Sequence, residues 1–132
     1  MSARGEQLLA FLESAITARE KAARAVGYDT IAAGDYLWGT KYLLLRRGDE
    51  SKASSEMDAD LADHLALHDP ESVLRRCAAD RKLLELHAGR MHSCPAKDET
   101  GYLDEWTHFG GAYACPVLEL LAEGYGWPGG AL

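Results

Sequence analysis

His87, His92, Cys94 and Cys115 carry the two side-chain types that zinc prefers, imidazole nitrogen and thiolate sulfur. His87 closes the stretch "RKLLELH", His92 and Cys94 follow in "GRMHSCP", and Cys115 stands before Pro116 in "YACPVLELL". Structural zinc takes four such groups in a tetrahedron, so one ion would tie three separate segments and staple a long connection that has little core of its own. Cys115 sits where a helix should begin, and the free amides and positive dipole end there favour the thiolate form that binds metal. His87, Cys94 and Cys115 form the nucleus of the set. His92 is the nearest residue to complete it, and His108 is the alternative. The same residues have ordinary uses: a histidine at a helix end can bond carbonyls, and a cysteine before proline can be a small buried hydrophobe. The chain has no complete pair of CxxC knuckles.

A second group lies in "DADLADHLALHDP", where Asp60, His64 and His68 recur one helical turn apart. Two histidines and a carboxylate on one face can hold iron or zinc with positions open for chemistry, which would make a metal-dependent hydrolase or oxygenase. His87 could join if the next helix folded back beside this one. The competing expectation is structural: His64 and His68 share their face with Met57, Leu61 and Leu65, and would be buried with them in helix packing. Other templates are weaker. Ser54, Ser55 and Ser93 lie in no nucleophile elbow, Cys77 sits in an apolar stripe, and Cys94 beside His92 lacks a visible oxyanion site. Arg75, Arg76, Arg81 and Lys82 could meet nucleic acid phosphate. Against that stand a net charge of −7 and eight acidic residues against Lys52 alone between Asp49 and Glu71.

The elements that must position these groups are mainly helical. Leu8, Leu9, Leu12, Ala15, Ile16, Ala22, Ala23 and Val26 make an amphipathic stripe over about 5–26 that Gly27 stops. The aromatic and branched run over 28–47, broken at Gly34-Asp35 and Gly39-Thr40, predicts a hairpin or meander. A polar loop follows, then a helical pair over 55–88. Ser55 with Asp58 has capping-box spacing, Asp69 caps the second member and Pro70 suits its first position. The inward stripe of that helix is Val73, Cys77, Leu84 and His87. Residues 90–132 predict a Cys/His loop and a short helix opened by Pro116. A chain of 132 residues with 47% hydrophobic content suits one domain, here α+β and mainly helical with a small hairpin and a zinc-stapled C-terminal loop. The apolar run "LLAFL" is too short for a signal peptide or membrane span, so the expected setting is soluble and cytoplasmic. Three cysteines cannot all pair with one another, and a reducing compartment favours metal or core packing over disulfides.

The run "LADHLALHDPESVLRRCAADRKLLELH", with His64, His68, Asp69 and Pro70 as HxxxHDP, then a Cys-bearing loop and "CPVLELLAEGYGW", resembles a family of small actinobacterial and actinobacteriophage proteins of unknown function. The likeness is strongest over the C-terminal half. Such proteins often carry a second loop cysteine where this chain has Lys97, and if that cysteine serves zinc the resemblance implies that His92 or His108 takes its place here or that the site is weakened. The resemblance implies a phage or its actinobacterial host as the source and supplies no reaction, and with a ligand shell that closes on itself the expectation is a zinc-binding accessory or regulatory protein acting by binding a host or phage protein, which need not be an enzyme. The amphipathic first helix and hairpin aromatics also suit a homodimer. Nucleic acid and membranes are not expected partners.

Overall fold

The computed structural model describes residues 3–88, 92–98, 101–109 and 115–128, with the backbone alone at 3, 96–98 and 101–109. Among the described residues four helices, a small antiparallel sheet and a separate two-stranded ribbon make a mainly helical α+β fold. The chain divides into two compact units, Ala18–Cys77 and a second made of Met1–Thr17 with Ala78–Leu132.

In the unit Ala18–Cys77, the end of α1 (Ala3–Ala25) leads through Gly27, whose φ of +83° is the left-handed cap expected there. The hairpin follows as β1 (Thr30–Asp35) and β2 (Thr40–Arg47), paired from Thr30 opposite Arg46 to Asp35 opposite Lys41. Gly34 belongs inside β1 rather than at a break. The ring of Tyr42 lies across it so closely that an added Cβ would come within 2.4 Å of Cζ.

The polar loop expected after β2 instead contributes β3 (Glu50–Ala53) and β4 (Met57–Asp58), which pair with successive parts of β2 along the same edge. Ser54 joins them: its amide donates to the Leu43 carbonyl at 2.8 Å, and its hydroxyl accepts from the Leu43 amide at 2.8 Å. This pairing displaces the expected Ser55 cap. The helix α2 (Ala59–Leu67) starts instead from Asp58 without a side-chain cap, and the Ala59 amide donates to the Gly39 carbonyl at 3.0 Å.

Helix α2 packs on β1 and β2 through small residues, Ala62 being fully buried. Asp69 then caps α3 (Pro70–His87) as expected: its Oδ1 accepts the Ser72 amide at 2.9 Å. Its Oδ2 accepts the Ile31 amide of β1 at 3.2 Å, so one carboxylate ties the helix start to the sheet. Burial alone would raise the pKa of Asp69. The bonds from Ser72 and Ile31, with Arg75 nearby, outweigh it and hold the carboxyl below its usual value.

In the other unit the buried apolar side chains include Leu8, Leu12 and Ile16 of α1, Leu84 of α3, and Leu118 and Ala122 of α4 (Pro116–Gly124). Phe11 meets Trp127 with ring centroids 5.0 Å apart. The α3 stripe also contains a charged member that its composition hides. Asp80 is 2% exposed and accepts a short hydrogen bond from the Tyr125 hydroxyl.

The expected Cys/His loop is a correction, because it is a β-ribbon: β5 (His92–Asp98) pairs antiparallel with β6 (Gly101–Phe109). Pro95 is tolerated because the register shifts between Pro95 and Lys97, where a missing amide costs least. No described helix is long and apolar enough to cross a membrane.

Candidate metal centre

Three elements deliver the four groups. His87 is the last residue of α3, and Cys115 is the N-cap of α4, with Pro116 in the first position. His92 and Cys94 lie two apart on β5, where strand alternation places them on one face, so the tight "HSC" spacing suits joint use. Packing of α4 against β5 brings Cys115 to Cys94.

One ligand atom from each of His87, His92, Cys94 and Cys115 lies within 4.8 Å of all the others, with both cysteines buried and both histidines half-buried. This group could hold a metal ion. His87 Nδ1 is 3.4 Å from Cys94 Sγ and 3.4 Å from Cys115 Sγ. A neutral Nδ1 carries either one proton or one lone pair and cannot make a full hydrogen bond to both sulfurs. Tetrahedral zinc with bonds of about 2.3 Å to sulfur and about 2.0 Å to nitrogen sets mixed donors about 3.5 Å apart. The rings of His87 and His92 meet edge-on with centroids 4.7 Å apart, and His92 Nε2 is shielded from water.

The electrostatics of the protein groups alone favour neutral forms. Burial pushes the Cys94 thiol up to about 11, and Cys115 beside it adds to the shift. Burial also lowers the His87 pKa, with His92 contributing. Neutral imidazole is the ligand form, whereas a thiol needs a nearby cation, and a divalent ion at the centre would supply that charge.

The other expected sites fare differently. His108 lies opposite Ser93 in the ribbon register, while its side chain and that of Lys97 fall outside the described residues. His64 and His68 do face each other, with ring centroids 4.7 Å apart. They are exposed, which corrects the expectation of burial, because Leu61 and Leu65 share an outer face while Ala62 turns to the sheet. Asp60 does not complete a metal-binding group with them among the described residues, and His87 belongs to the other cluster. Of the basic residues on α3, Arg81 bonds Glu13 and Thr17 at 3.0 Å each, and Arg75 lies 3.8 Å from Glu71. The Asp80–Tyr125 pair gave no sequence signal, since its members are 45 residues apart.

Fold and site together define a small, mainly helical α+β protein with a two-histidine, two-cysteine cluster at the root of a β-ribbon. The chain belongs to a family of unknown function, DUF6221, whose model matches residues 5–126. No curated protein and no solved structure matches it.

Proposed function

We propose that His87, His92, Cys94 and Cys115 bind one structural zinc ion, and that the protein is a small accessory or regulatory factor acting by protein binding. Its setting on this reading is the cytoplasm of an actinobacterial host or of a phage-infected cell. The observation that carries the metal is the single His87 nitrogen placed 3.4 Å from two sulfurs, with a second imidazole closing the group. Two sulfurs and two nitrogens favour zinc over magnesium or calcium, which take oxygen ligands. Four protein ligands fill a tetrahedral shell and leave no position for a substrate, which supports a structural rather than a catalytic ion. The net charge of −7 and the ion-paired arginines of α3 support a protein partner over nucleic acid.

Elemental analysis of full-length protein purified without an affinity tag tests the metal. The expected result is about one zinc per chain, lost together with thermal stability in Cys94→Ser and Cys115→Ser. Protein without bound zinc, or unchanged stability in both variants, refutes the reading.

A further inference from the structure

The turn between β1 and β2 carries three large apolar side chains in a row: Tyr36 is 61% exposed, Leu37 63% and Trp38 fully exposed. Their backbone is well fixed. The Leu37 amide donates to Thr40 Oγ1 at 3.2 Å, the Thr40 amide donates to the Leu37 carbonyl at 3.1 Å, and the Thr40 hydroxyl donates to Glu56 at 3.0 Å. Gly39 supplies the left-handed residue, with φ of +74°. An apolar knob on a preorganised turn loses little entropy when it docks, and tryptophan is among the residues that most often dominate an interface.

At the other end of the same hairpin a cavity of about 520 Å³ opens where α1 ends, β1 begins, β2 ends and α3 starts. Ala23, Tyr28, Pro70 and Leu74 give it apolar walls, and Arg24 brings a guanidinium group, that of Arg47 being held 3.1 Å from Glu50. Its volume falls in the range that holds compact ligands, about 300–1,000 Å³, enough for an indole with a neighbouring leucine. Charge is complementary as well. The knob is flanked by Asp35, which is exposed and only 4.0 Å from Lys41 at its nearest, and by Glu56, while Arg24 makes no ion pair among the described residues. Asp29 and Glu71 also line the wall, but Glu71 is already 3.8 Å from Arg75.

We propose that Tyr36, Leu37 and Trp38 seat in this cavity on a second copy of the chain, with Trp38 against the Arg24 guanidinium. The knob cannot fill its own cavity, because β1 holds the two about 20 Å apart, six residues at about 3.3 Å each. That separation suits a two-fold pair: two hairpins laid antiparallel place each tip at the other's cavity and close the assembly at two copies. Knob and cavity both lie within Ala18–Cys77, so the pairing stands or falls independently of the metal.

Sedimentation velocity of the full chain from about 5 to about 500 µM tests this. The expected result is a concentration-dependent shift from the 14.4 kDa chain to twice that mass. Trp38→Ser removes a solvent-exposed ring, so its circular dichroism should match the parent while its dissociation constant rises about 30-fold or more. Arg24→Glu should weaken the dimer, and adding Asp35→Lys to it should restore association by reversing both charges. A monomer over the whole range overturns the proposal, as does a dimer indifferent to Trp38→Ser. A mass that climbs past two copies overturns the two-fold closure.

Discussion

Replacing Asp69 by alanine removes two acceptors at once, and their costs can be added because they serve different groups. Loss of the bond to the Ser72 amide is loss of a helix cap, worth about 1 kcal/mol. Loss of the bond to the Ile31 amide leaves a partly buried strand donor without its acceptor, worth about 1–3 kcal/mol. The expected destabilisation is therefore about 2–4 kcal/mol, a large share of the total for a domain of this size. Asp69→Asn keeps one acceptor oxygen but turns an amide group toward a second donor, so its cost should fall between those of the parent and Asp69→Ala. The pH dependence has a definite sign. The folded-state pKa of Asp69 is depressed, so its contribution is fully present above the unfolded-chain value of about 3.9 and is lost as pH falls through the lower folded value. Urea unfolding at neutral pH and again in that acid window measures both effects, and the gap between parent and Asp69→Ala should narrow in acid. A cost below about 0.5 kcal/mol at neutral pH, or a gap that does not narrow, would refute the claim that this carboxylate joins α3 to the sheet.

Three further outcomes follow from particular contacts. Tyr125→Phe should cost about 1.5–3 kcal/mol in chemical denaturation, because a buried carboxylate at Asp80 loses a charge-assisted bond. Gly34→Ala should cost about 1–3 kcal/mol by driving a methyl into the Tyr42 ring, and the penalty should largely vanish in a Tyr42→Ala background, as a double-mutant cycle would show. Removing the exposed imidazoles with His64→Gln and His68→Gln should leave the bound metal content unchanged, whereas His87→Ala should abolish it.

The His/Cys cluster was readable in the sequence because two of its members mark element ends: a histidine after the last apolar turn of one helix and a cysteine before the proline that opens another. The ribbon between them was not. "HSCPAKD" has a proline and no clean alternation, and only the register shift after Pro95 lets it pair. Ser55 and Asp58 had the spacing of a cap, but a strand pairing with Lys41 and Thr40 takes Met57 and Asp58 first. The face of α2 was misjudged for a related reason. Hydrophobic spacing names Leu61 and Leu65, yet a helix lying close on a sheet is better served by Ala62, and the leucines and histidines are left outside. Nothing local in the sequence marks Asp80 for burial, because its tyrosine partner lies 45 residues later. Helices, caps and the hairpin follow local rules, whereas each miss turned on a partner distant in the chain.

His92 and Cys94 occupy the first and third positions of β5, so the cluster grips the ribbon at its base, while Asp98 and Gly101 mark its far end. An anchor placed there separates the length of the ribbon from its attachment. The entropy of closing a longer connection grows only logarithmically, about 0.6 kcal/mol for each doubling. In this chain, lengthening the connection between Asp98 and Gly101 should therefore cost little, while a residue inserted between His92 and Cys94 would turn the two to opposite faces of β5.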